Sequence, residues 1–166
     1  MRSIEKFSIN IEEIIPDNFY EPPEDELNEF SDFEMGFRRF CFDNNHYIAI
    51  KIGDVIQRIH LYHDVLDAIE EGWCKSIINL SNLEKIIIDF NYFSIYMIPN
   101  LDRKTIECYS NIRGTGQSYN KILSLSDVLE NMNYFINSIL TVAVKKNYIN
   151  IDDIYEYLGC KLCINS

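Results

Sequence analysis

The stretch "HLYHD", residues 60–64, gathers side chains that often do chemistry: His60, His63 and Asp64. Histidines three apart on one helix can share a metal ion, and the carboxylate beside them can act as a ligand or orient an imidazole. A zinc site needs a third protein ligand placed by the fold, and no H-E-x-x-H pattern supplies one. The remaining histidine, His46, lies in a turn-rich segment. The plainer reading is of surface or partly packed histidines at a strand–helix junction. A small hydrolase or metal-dependent enzyme using His60, His63 and Asp64 is the alternative that this stretch keeps open.

Other chemistry-bearing patterns are weaker. Cys160-Lys161-Leu162-Cys163 is a lone C-x-x-C that follows a helix-like run, whereas a redox pair of that form opens a helix whose dipole lowers the first thiol's pKa. The segment "RGTGQS" (113–118) offers Arg113 and two glycines as a possible phosphate nest, but it lacks the Lys-Ser/Thr of a P-loop and the third glycine of a dinucleotide fingerprint. It reads as a hairpin turn. No G-x-S-x-G elbow presents a serine nucleophile. The pairs Glu70-Glu71 and Asp152-Asp153 fall on helical segments, where adjacent residues do not face each other. The sequence therefore argues for no catalytic residue, no bound metal and no cofactor, and the chain is read as a non-enzyme.

The elements that would hold any site follow from periodicity. "YIAIKI" alternates, with Ile48, Ile50 and Ile52 on one face, and Gly53-Asp54 separates it from "VIQRIH" by the two residues of a tight hairpin. A helix follows over about 61–73, with Leu61, Val65, Leu66, Ile69 and Trp73 on one stripe. "FRRFCF" (37–42), "LEKIIIDF", "YFSIYMIP", "RKTIECYS" and "SYNKILSL" read as further strands. The clearest helix spans 127–146. Asp127 and Glu130 form a capping-box-like start, and Val128, Met132, Phe135, Ile139 and Ala143 form its apolar stripe. A short helix over 151–158 ends at Gly159, a C-cap. Strands in consecutive runs with helices inserted and appended predict an α+β fold, a largely antiparallel sheet of five or six strands with packed helices.

Length and composition suit one domain over 1–166, at 47% hydrophobic and 13% aromatic residues. The charge is uneven. Between Phe7 and Phe37 there are ten acids and no Lys or Arg, while the rest of the chain nearly balances, so this stretch accounts for most of the net charge of −11. Residues 7–36 therefore read as an acidic, aromatic N-terminal segment, irregular around "EPPE" where two prolines forbid helix, and 37–166 as the α+β body. Such a balance argues against nucleic acid or an anionic membrane as a direct ligand and favours a basic partner, or simply solubility. Five cysteines, no apolar leader of signal-peptide length and no uninterrupted membrane-length apolar run place the expected protein in the cytoplasm with reduced thiols.

An acidic aromatic leader ("PDNFYEPPEDELNEF"), a hairpin running into an amphipathic helix ("YIAIKIGDVIQRIHLYHD") and the run "IIIDFNYFSIYMIP" together resemble the immunity proteins of bacterial polymorphic toxin and contact-dependent growth inhibition systems. The resemblance is one of type and covers most of the chain in style. It implies tight, stoichiometric binding of a cognate toxin domain, often a basic nuclease. The surface it would use is the acidic segment standing in for a nucleic-acid backbone: Glu21, Glu24, Asp25, Glu26, Glu29, Asp32 and Glu34, with Phe30 and Phe33 (and Phe19 and Tyr20) as apolar anchors. The competing reading is that these aromatics cap the chain's own core and the acids only solvate it. A regulatory module that mimics nucleic acid would share the same electrostatics.

Overall fold

The computed structural model describes residues 2–16, 21, 22, 24–112 and 118–158, with side chains as far as Ile154. Within them the expected α+β class is present, with strands in two sheets and helices packed against both. The N-terminal residues form β1 (Ile4–Glu5) and β2 (Phe7–Ile14), followed by α1 (Asp32–Asp43), β3 (His46–Ile52) and β4 (Val55–His60). A π-helical turn (Leu61–Val65) leads into α2 (Leu66–Glu71) and α3 (Trp73–Ser81). Then come β5 (Ile86–Asp89), β6 (Phe93–Pro99), β7 (Thr105–Ile112), β8 (Ser118–Ser124), α4 (Leu125–Lys145) and α5 (Ile151–Leu158).

β5 to β8 form an antiparallel meander, to whose outer edge β1 adds in parallel, giving the order β1-β8-β7-β6-β5. The second sheet is β2-β3-β4, also antiparallel. One continuous segment thus edges both sheets, crossing between them at Lys6, whose carbonyl accepts a 2.8 Å hydrogen bond from the N–H of Gly53 in the β3–β4 turn. Gly53 adopts φ +63°, as a tight hairpin turn requires. Lys121 on β8 reaches across to Asp54 of that turn at 2.6 Å, a second tie between the sheets.

The inner faces of both sheets and the apolar stripes of the helices share one core. Ile48, Ile50, Ile52 and Ile59 meet Ile95, Met97, Ile106 and Leu123, closed by Val128, Met132, Phe135, Ile139 and Ala143 of α4. The stripe expected on α4 is buried throughout, although the helix begins earlier: Ser124 is its N-cap, its side chain accepting from the Asp127 N–H. The stripe expected on the 61–73 helix is buried as well. That helix breaks at Gly72 (φ +128°) and resumes as α3, which extends the helical run to Ser81.

Two expectations are corrected. The acidic segment 7–36 is not irregular at its two ends, because Phe7–Ile14 pairs with β3 and buries Phe7 and Ile9, and Asp32 opens α1; its described residues between them carry no helix or strand. "FRRFCF" is not a strand but the second half of α1, whose Phe33, Phe37, Phe40 and Cys41 recur at helical spacing and are buried. The helix starts there because Ser31 and Glu34 form a reciprocal capping box. The Ser31 hydroxyl accepts from the Glu34 N–H at 3.2 Å, and Glu34 Oε2 accepts from the Ser31 N–H at 2.6 Å. Replacing Ser31 with Ala should cost about 1 kcal/mol in urea-unfolding stability. A neutral result would show that tertiary packing alone sets the start of α1.

Candidate interaction surface

The acidic segment is ordered by its own polar groups where it approaches α1. The Asp25 carboxylate accepts hydrogen bonds from the N–H groups of Glu29 (2.9 Å) and Phe30 (3.1 Å), and Asn28 takes a left-handed conformation at φ 51°. This turn carries the chain into the Ser31 cap. Phe30, half-buried, lies under the Arg38 guanidinium, 3.8 Å from ring centroid to Cζ. Arg38 in turn makes a two-pronged ion pair with Glu70 of α2, at 2.8 and 3.2 Å. A single arginine therefore stacks on the acidic turn and bonds to α2, a geometry suited to a planar guanidinium.

The nine residues expected to face a partner separate into three groups. Glu21, Glu24, Glu26, Glu29 and Asp32 are exposed. Asp25 and Glu34 are half-buried and hold the turn and the helix cap, while Phe30 supports Arg38. Phe33 is 2% exposed and stacks on Phe37 with centroids 5.6 Å apart, so it belongs to the chain's own core and is withdrawn as a surface anchor. Phe19 and Tyr20 lie outside the described residues. Two features were not singled out from sequence. Leu27, at the tip of the turn among the exposed acids, is 77% exposed. On α2, Asp67 and Glu71 are exposed, and Glu70 is drawn beside α1 by Arg38, so carboxylates continue across from one helix to the next. Although Asp67 reaches solvent, desolvation by the protein around it, reinforced by the carboxylates of Glu70, Glu71 and Asp64, pushes its carboxyl above the ordinary aspartate range. The "EE" pair, read as a solvated face, gave no sign of this neighbourhood because the fold creates it.

The histidine stretch is placed differently from a ligand set. Asp64 is buried, and its Oδ2 accepts from the His60 backbone N–H at 2.8 Å, closing the first turn of the π-helical segment. The His60 ring meets the edge of Tyr47, with centroids 5.3 Å apart, whereas the exposed His63 ring lies against Tyr62 at 4.6 Å. The three side chains thus occupy separate environments. His46 Nδ1 bonds to the Glu12 carbonyl at 2.8 Å. Among the described residues, no group of three His, Cys, Asp or Glu side chains converges as a metal site would require. Cys41, Cys74 and Cys108 are buried and unpaired, and burial raises the Cys41 thiol well above its usual range and takes Cys108 to about 12. Arg113, Gly114 and Gly116, expected in a hairpin turn, Gly159, expected as a C-cap, and Cys160 and Cys163 lie outside the described residues. No described helix is long and apolar enough to cross a membrane.

No protein-family model matches the chain, and no curated protein or solved structure is significantly similar to it.

Proposed function

We propose that the chain is an immunity-like, antitoxin-type binding protein that neutralises a cognate basic toxin domain, of nuclease type, by forming a stoichiometric complex in the cytoplasm. One observation carries the reading: the exposed carboxylates of Glu21, Glu24, Glu26, Glu29 and Asp32 stand beside a turn fastened by Asp25, the Ser31–Glu34 cap and the Arg38–Glu70 pair. Carboxylates clustered beside a fastened turn concentrate negative potential, which steers a phosphate-binding basic surface towards it. Leu27, standing among them, is the apolar contact that such a partner would desolvate.

The direct test is co-expression with the product of the neighbouring gene at the native locus. A stoichiometric complex and loss of that protein's toxicity are expected, and a harmless neighbour that forms no complex would overturn the proposal. With the complex in hand, the variant Glu21→Gln/Glu24→Gln/Glu26→Gln/Glu29→Gln should associate at least tenfold more slowly at low salt and show a flatter salt dependence. Its unfolding midpoint should be almost unchanged, since all four side chains are exposed. An unaltered association rate would move the binding surface elsewhere. Asp25 is left intact in this variant because it holds the turn.

A further inference from the structure

The two sheets leave four edge strands, β1 and β5 on the larger and β2 and β4 on the smaller. Three are blunted in ways that guard an edge against further pairing. β1 is two residues long, β2 is bulged between Ile11 and Ile14 beside Glu12 and Glu13, and β4 carries the exposed Arg58, bonded to Glu12. β5 reads differently: Ile86, Ile87 and Ile88 stand between one cation, Lys85, and one anion, Asp89. The Phe90 N–H donates to the Phe93 carbonyl at 2.9 Å, which makes Phe90 and Phe93 a hydrogen-bonded pair. Such pairs alternate along an antiparallel ladder. Counting back, Ile88 bonds Ile95 and Ile86 bonds Met97, while the main-chain groups of Ile87 and Asp89 point away from β6.

We propose that this edge pairs with β5 of a second copy, antiparallel about a two-fold axis at Ile87, so that two five-stranded sheets join into one. Residues 85–89 are their own complement in that register. Ile87 meets Ile87 of the second copy, and each offers the outward N–H and C=O that a hydrogen-bonded pair exchanges. Lys85 falls opposite Asp89 of the second copy, and Asp89 opposite its Lys85, all four side chains on the exposed face. Ile86 meets Ile88 on the buried face. Opposite charges directly across a strand pair favour it. A slip of one residue would set Lys85 against isoleucine and turn the buried side chains to the other face. Hydrogen-bond phase and charge therefore ask for one register, and a second copy of this strand supplies both.

The helical side of the junction is shaped for the same approach. A two-fold axis normal to the sheet keeps the α2–α3 elbows of both copies on one side. Between that elbow and Ile87–Asp89 lies a cleft of about 80 Å³. Ala68, Gly72 and Ser76 line it at every fourth position, so small side chains stand where the second copy's elbow must come near. The paired strand is short, about 17 Å at 3.4 Å per residue. The dimer therefore belongs to the weak, reversible class of contacts rather than the obligate one.

Sedimentation velocity of the full chain over a wide concentration range tests this, at physiological ionic strength, where repulsion between two chains of net charge −11 is screened beyond about 8 Å. A reversible shift towards twice the chain mass is expected. Lys85→Glu sets like charges across the dyad and should weaken association at least tenfold with an unchanged melting midpoint, because the side chain is exposed. The charge swap Lys85→Asp/Asp89→Lys restores opposite charges in the same register and should recover association to within about threefold. Ile87→Pro removes an outward N–H and no bond of the β5–β6 ladder, so it should abolish the dimer and keep the fold. If the proline variant unfolds, the two charge variants carry the test alone. Ile56→Lys, on the exposed face of β4, should change nothing. A chain that stays monomeric at every concentration overturns the proposal, as does a dimer that ignores Lys85→Glu or is not recovered by the swap. Dissociation by Ile56→Lys would place the contact on β4 and overturn it as well.

Discussion

Phe135→Ala is expected to cost about 3–5 kcal/mol, the range for removing a large buried aromatic where the surroundings close only partly around the space. The ring is 3% exposed on the inner stripe of α4 and lies 5.8 Å from the Trp73 ring at the start of α3. Truncation therefore removes its own transfer energy and also the wall against which the indole packs. For a chain of this size the melting midpoint should fall by roughly 6–20 °C. Phe135→Leu, which keeps most of the volume, should cost well under half as much. A loss below about 1 kcal/mol for the alanine variant, measured by urea unfolding, would mean that the contact between α3 and α4 contributes little to the core.

Gly36→Ala is the second large effect, and its sign runs against helix propensity. In the interior of an exposed helix, glycine to alanine gains close to 1 kcal/mol. Gly36 sits inside α1, but a Cβ built there would lie 2.1 Å from the Tyr148 carbonyl oxygen and 3.1 Å from Ile149 Cγ2. The obstacle is backbone and is itself fastened. The Tyr148 hydroxyl donates to Asp43 at 2.8 Å, its ring meets Phe40 edge-on, and Lys146 Nζ donates to Asn44 Oδ1 at 2.6 Å. Accommodating one methyl group therefore means lifting α1 off the α4–α5 connection. Overpacking of this kind costs about 1–3 kcal/mol or more, which outweighs the propensity gain. Equal or higher stability of the alanine variant would show that this close approach is readily relaxed.

How far the sequence reveals such features depends on whether their cause is local. The β3–β4 hairpin and the α4 stripe were legible because alternation, a Gly-Asp turn and 3.6-residue spacing lie within a few residues of one another. The start of α1 was equally local, with S-x-x-E at Ser31–Glu34 and phenylalanines at 33, 37 and 40. It was obscured because the change in charge near Phe37 looked like a structural boundary, and the short apolar run Phe40-Cys41-Phe42 has a composition that a buried strand shares. β2 was hidden in a similar way, since Glu12 and Glu13 gave an alternating strand the composition of a solvated tail. The dependence of Gly36 on the Tyr148 carbonyl, and the Arg38–Glu70 pair that braces the acidic turn, come from residues far apart in sequence. No local pattern encodes either. The acidic surface itself was legible as composition, but which of its carboxylates hold the fold and which face outward was decided by hydrogen bonds visible only in three dimensions.

The parallel pairing of Ile4 with Ile122 also has a consequence for the order in which the chain is assembled during synthesis. The three-stranded sheet is encoded within the first sixty residues, so β2, β3 and β4 can pair soon after they leave the ribosome. β1, made before all of them, has no neighbour until β8 emerges, and closing so long a loop is slow compared with forming a hairpin. The earliest strand to be translated is therefore the last to be sealed. Its docking seals the edge of the five-stranded sheet, and a nascent chain halted before Ser118 would hold β2 in place while β1 waits with its edge unpaired.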